Sequence, residues 1–133
     1  RIELVRNYRG VRYYNDSIAS SPSSTTAGLR SFKEKVILIA GGYDKHIPFD
    51  DLGCEIVEHV KLLVLCGATA EKIRAAVEAA PNYKAGCPEI VMVSPFTAAV
   101  ETARDRAVEG DVVTLSPACA AFDQFKNFME RGF

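Results

Sequence analysis

Little in this sequence pulls hard in one direction, and each absence excludes something. Sixteen basic residues stand against seventeen acidic ones, for a formal net charge of −1. That balance gives no electrostatic reason to expect nucleic acid or an anionic membrane as partner. Long hydrophobic runs are missing. The apolar stretches are short, as in Val36-Ile37-Leu38-Ile39-Ala40, whereas a membrane-spanning helix needs about twenty such residues. No signal peptide opens the sequence, and its first residue is Arg1 rather than Met, as expected of a fragment. The four cysteines, Cys54, Cys66, Cys87 and Cys119, include no C-x-x-C pair. Neither His46 nor His59 joins them in a ligand cluster, so no zinc site is expected. Buried, reduced thiols in a cytosolic protein are the expectation instead. Also absent are G-x-x-x-x-G-K-[ST] and G-x-G-x-x-G. This chain alone therefore carries no recognisable triphosphate cradle.

What is present reads as one domain. A chain of 133 residues with 48% hydrophobic and 25% charged residues is ordinary for a single globular domain with a real core. Ile2–Val5 and Val11–Tyr14 are β-rich around Asn7-Tyr8-Arg9-Gly10, which predicts a hairpin. A serine-rich loop follows, with Pro22 suited to an early position in a helix through Ala27, Leu29 and Phe32. From there apolar runs alternate with helical patterns. Strands are predicted at Val36–Ala40, Leu62–Cys66, Ile90–Val93 and Val112–Leu115. Helices are predicted over Phe49–His59, Ala70–Ala79, Thr97–Val108 and Phe122–Arg131. Continuous apolar strands separated by helices of this length mean parallel strands covered on both faces. The predicted fold is therefore α/β: a Rossmann-like, doubly wound, mostly parallel sheet flanked by helices, with an N-terminal β-hairpin.

In such a sheet, ligands bind beyond the carboxyl ends of the strands, so the segments after each strand carry the functional argument. Gly41-Gly42-Tyr43-Asp44-Lys45 can place a cation at a sharp turn as a carboxylate or phosphate site. It equally suits a plain strand-to-helix turn with a solvated lysine. Asp16, in Asn15-Asp16-Ser17, can accept from ribose hydroxyls, hold an arginine, or serve as an Asx-turn cap. Ser20 and Ser21 can donate to a carboxylate or cap a helix. After Leu115, small residues lead to a helix start whose N–H groups at Ala121 and Phe122 suit a carboxylate. Phe122, Phe125, Phe128 and Met129 form a stripe suited to core packing. Cys119 lacks a neighbouring histidine and is weak as a nucleophile. His46 reads as an acid–base candidate or as a surface residue.

Three of these segments together resemble the C-terminal domain of the Mur ligase family. Gly10-Val11-Arg12-Tyr13-Tyr14-Asn15-Asp16-Ser17 is similar to its "G-V-x-[WY]-x-N-D-S" start, and Gly41-Gly42-Tyr43-Asp44-Lys45 to its "G-G-x-x-K" turn. The stretch from Leu115 to Phe128, with Arg131-Gly132, is similar to "L-S-P-A-x-A-S-x-D-x-F-x-x-[FY]-x-x-R-G". The Asp123-Gln124-Phe125-Lys126-Asn127-Phe128 form points to the D-glutamate-adding branch. The resemblance implies the last of three domains. The UDP-binding and central ATPase domains would lie outside these 133 residues, and a helix would continue past Phe133. It further implies an ATP- and Mg²⁺-dependent, cytoplasmic bacterial enzyme that joins D-glutamate to UDP-N-acetylmuramoyl-L-alanine through an acyl phosphate and a tetrahedral intermediate.

By the same resemblance, Arg1, Asn15 and Asp16 would reach the nucleotide. Ser20, Lys45, Ala121, Phe122 and Phe128 would surround D-glutamate. No residue of this domain is assigned a catalytic or metal-binding role. Three departures stand out: Ile18 occupies the place of a lysine near the phosphates, Ser20 that of a threonine, and Ala121 that of a serine. Two other functions fit the bare pattern: a stand-alone α/β module for a nucleotide or small anion, and the equivalent domain of a related amino-acid ligase.

Overall fold

The computed structural model of the chain describes residues 2–16, 32, 34–42, 50–67, 70–86, 88–93 and 96–115. Among the described residues there are six strands and three helices: β1 (Ile2–Tyr8), β2 (Val11–Asp16), β3 (Val36–Gly42), α1 (Asp50–His59), β4 (Val60–Gly67), α2 (Ala70–Glu78), β5 (Glu89–Met92), α3 (Phe96–Arg106) and β6 (Val112–Leu115). The predicted helices around Pro22–Phe32 and Phe122–Arg131, and Cys87 and Cys119, lie outside the described residues.

The strands form one sheet in the order β1-β2-β6-β3-β4-β5. Only β1 runs antiparallel, against β2; the remaining neighbours are all parallel. The predicted hairpin is therefore present, but its turn is tighter than expected. β1 continues through Tyr8, leaving Arg9 and Gly10 as the two-residue tip, with φ of 53° and 78°. Positive φ at both positions matches the right-handed twist of the strands it joins, which favours this turn despite the cost of holding an arginine there.

Alternation along the central strands builds the two cores. Val36, Leu38 and Ala40 of β3 face one way, toward Ile56 and Val57 of α1 and Ile73 and Val77 of α2. Ile37 and Ile39 face the other, toward Ala99, Val100 and Ala103 of α3. Each of these large side chains is 1% exposed or less on β3, and burying one contributes about 1.5–3 kcal/mol. On α3, Ala99, Val100 and Ala103 are fully buried and Ala98 only partly so. The helix ends at Arg106, two residues early, and leaves Val108 64% exposed. Cys66 is buried as predicted, whereas Cys54 is only partly so; neither is disulfide-bonded.

The period of two is broken once in β4. Val36 pairs with Val60, but Ile37 pairs with Leu62, so Lys61 is an extra residue in a β-bulge. Val60 then packs with Leu63 and Leu65 on the α1/α2 face, while Leu62 joins Val64 on the α3 face. The bulge shifts the phase of the strand by one and turns Lys61 outward.

Helices α1 and α2 pack closely because Gly53 has no side chain. A Cβ built there would lie 2.7 Å from the Ala76 carbonyl carbon and would meet the Ala76 oxygen. That neighbour is backbone and cannot swing aside. Gly53→Ala should therefore lower the urea unfolding free energy by about 1–3 kcal/mol, despite alanine's better helix propensity. Ile73→Ala, which empties a fully buried position, should cost about 2–5 kcal/mol in the same measurement.

Candidate functional site

The chain reverses direction across the sheet at one place. From β3 it moves outward through β4 to β5, with α1 and α2 on one face. It then returns past β3 to β6 by way of α3 on the other face. Parallel crossovers are right-handed, so reversing the direction of travel changes the face on which the helix lies. The crevice between the carboxyl ends of β3 and β6 is the resulting switch point, where doubly wound sheets bind ligands.

The ladders at this edge run across four strands. Asn15 pairs with Leu115, and Leu115 pairs with Ile39. β3 then continues to Gly42, which pairs with Gly67 at the end of β4. Gly67 has φ +87°, a backbone conformation that glycine adopts without strain.

Asn15 and Asp16 are the last two residues of β2 and lie on this edge, one strand from the switch point. The other candidates, Arg1, Ser20, Lys45, Ala121, Phe122 and Phe128, lie outside the described residues, as do His46 and Cys119. In the sequence Ser20 follows β2, Lys45 follows β3, and Ala121, Phe122 and Phe128 follow β6. Among the described residues no group of three or more His, Cys, Asp or Glu side chains is placed to hold a metal ion.

A polar node that the sequence analysis missed lies at the opposite, amino edge. Asp111, just before β6, is only 8% exposed. Its Oδ1 accepts from Lys61 Nζ, and its Oδ2 accepts from the Val108 N–H at 2.9 Å. Its backbone oxygen accepts from the Arg12 N–H at 3.1 Å. Beside it, Gly110 N–H donates to Gly10 O at 2.9 Å. The available signal was a lone lysine at the head of an apolar strand and an aspartate at the foot of another. An open groove of about 660 Å³ also lies at this edge, walled by Tyr8, Val11 and Tyr13 with Arg9, Arg104 and Glu109 at its rim.

Fold and switch-point crevice define a doubly wound α/β domain, with its candidate ligand edge at the carboxyl ends of β2, β3 and β6. The family model for "Mur ligase, glutamate ligase domain" matches residues 1–119, and the chain belongs to that family. It is 54% identical over 132 residues to a UDP-N-acetylmuramoylalanine–D-glutamate ligase from Clostridium botulinum (strain Okra), and 55% identical to one from Clostridium beijerinckii. Each match covers 99% of this chain and 29% of the relative, so the chain spans under a third of their length. Among solved structures, a domain assigned to a UDP-N-acetylmuramate:L-alanyl-gamma-D-glutamyl-meso-diaminopimelate ligase from Haemophilus ducreyi superposes with a TM-score of 0.68 at 11% identity, covering 96% of this chain and 94% of that one. Folylpolyglutamate synthase from Thermotoga maritima superposes with a TM-score of 0.61 at 17% identity, covering 96% of this chain and 30% of that one. At such identities these two show a shared fold.

Proposed function

We propose that this chain is the C-terminal, amino-acid-binding domain of an ATP-dependent ligase. The enzyme would join D-glutamate to UDP-N-acetylmuramoyl-L-alanine for peptidoglycan. The observation that supports it most is that three motif-bearing segments, Asn15-Asp16-Ser17, Gly41 to Lys45 and Leu115 to Phe128, each begin on the last residues of a strand at one edge around the switch point. The identity of 52–55% to ligases of that name extends over nearly the whole chain.

In this reading the UDP-binding and ATPase domains, together with the Mg²⁺ site, lie outside these residues. ATP phosphorylates the substrate carboxylate, releasing ADP. The D-glutamate amine then attacks the acyl carbon to give a tetrahedral intermediate, which expels phosphate and leaves the amide. Charge builds on phosphoryl and acyl oxygens, so this domain's part is positioning and electrostatics rather than proton transfer. Lys45 holds one D-glutamate carboxylate. The hydroxyl of Ser20 and the backbone N–H groups at Ala121 and Phe122 serve the amino acid's oxygens, with Phe128 alongside. Those N–H groups need no particular side chain, so Ala121 in place of serine is compatible with the role. Arg1, Asn15 and Asp16 reach the nucleotide, and Ile18 leaves one phosphate contact to other residues. The location proposed is the bacterial cytoplasm; among the described residues no helix is long and apolar enough to cross a membrane.

Two substitutions in the full-length enzyme test this assignment by steady-state phosphate release. Lys45→Ala should raise the KM for D-glutamate by about 10²-fold, as expected for losing a charge-assisted contact of 1.5–3 kcal/mol or more. An unchanged KM would remove Lys45 from the site. Asp16→Ala should raise the KM for ATP by about tenfold and leave that for D-glutamate within about twofold. The 133-residue chain by itself should release no phosphate from ATP with D-glutamate.

A further inference from the structure

The hairpin that carries Asn15 and Asp16 joins the parallel sheet through a short ladder. β2 meets β6 over four residue pairs, Arg12–Val112 to Asn15–Leu115. On its other side β2 has only β1, which belongs to the same hairpin. Side-chain contacts help hold it. Val11 and Tyr13 pack into the α3-side core, Tyr14 stacks edge-on with Phe32 at 5.1 Å, and Arg12 pairs with Glu34 at 3.0 Å across an exposed surface. None of these alone fixes how far β2 slides along β6.

Two backbone bonds anchor the amino end of that ladder. Asp111 O takes the Arg12 N–H, and Gly110 N–H gives to Gly10 O, so residues 110 and 111 grip β2 on either side of Val11. Asp111 is itself held from two directions. Its Oδ2 closes the turn at Val108, and its Oδ1 pairs with Lys61, which lies two strands away on β4. Lys61 reaches past β3 because the β4 bulge makes it the residue without a ladder partner. A buried carboxylate needs such partners, and losing one leaves it poorly solvated.

We infer that the Lys61–Asp111 pair is a positioning element for the nucleotide edge. It ties the start of β6, and through it the register of β2, to the rigid β3–β4 core. Asn15 and Asp16, at the far end of the same β2–β6 ladder, are thereby held at a set height beside the switch point. Lys61 and Asp111 touch no substrate in this scheme; they act through the strands. The inference rests on the ligase reading above, because the edge it positions is the one proposed to meet ATP.

Lys61→Met in the full-length enzyme tests it, with Lys61→Arg as the conservative companion. Lys61 is 42% exposed as a side chain, so Met is accommodated and the fold is retained. Kinetics are read well below the melting temperature, where both variants are fully folded. Lys61→Met should lower kcat/KM for ATP by about tenfold, since small displacements of binding groups are costly. Lys61→Arg, which keeps a cation in reach of Asp111, should stay within about twofold of wild type. Asp111→Asn should reproduce the Met effect, and adding it to Lys61→Met should cost little more. An active wild type whose Lys61→Met variant melts earlier but keeps kcat/KM for ATP overturns the positioning role and leaves the ligase reading intact. A wild-type enzyme that releases no phosphate with D-glutamate overturns the ligase reading, and this inference with it.

Discussion

The structure depends on one constraint: β3 and β4 must bury both of their faces at once. A strand with no wet side cannot be an edge, and it cannot be served by helices on one face only. The chain meets that demand by placing α1 and α2 on one side of the sheet and α3 on the other. Helices on both sides require the chain to travel outward and then turn back. The reversal opens the crevice between β3 and β6. The place where a ligand can enter is thus a by-product of how the core is closed.

Around that crevice the two ends of the sheet have different tasks. The carboxyl edge is where glycines end both β3 and β4. The amino edge is where polar groups are spent on fixing strands rather than on ligands, with Asp111 as the most heavily used acceptor there. Division of labour of this kind is familiar in α/β domains, since catalytic loops can vary only if the scaffold below them does not.

Much of this was legible in the residues. Continuous apolar runs such as Leu62 to Cys66 reported strands without a wet face, and the helical spacing of Ile73, Val77 and Ala80 reported the face that covers them. The strand-helix alternation then led to the carboxyl edge, and the N-D-S, G-G-x-x-K and L-S-P-A segments put the candidate residues at strand ends there. Phase and ends were harder to read. The expected start of β4 at Leu62 misses Val60 and Lys61, because a bulge interrupts the alternation that defines a strand in sequence. The end of α3 was overrun because Val108 continues an apolar pattern yet sits in solvent. The Lys61–Asp111 pair joins residues fifty apart in the chain, and a long-range ion pair leaves no local pattern. Gly53 carries no packing signal of its own in the sequence, and the proximity of Ala76 explains it.

The bulge at Lys61 has a bearing on how this domain can change length. β4 can shed Lys61 and keep its phase. Val60 and Leu62 would then be consecutive, and consecutive residues of a strand point to opposite faces, as these two already do. What such a deletion removes is the cation that pairs with Asp111. One residue lost anywhere from Leu62 to Leu65 is different, because it would turn the large side chains on one side of the gap toward the wrong core. The strand that separates the two interiors thus tolerates a change of length only at the residue that has no ladder partner.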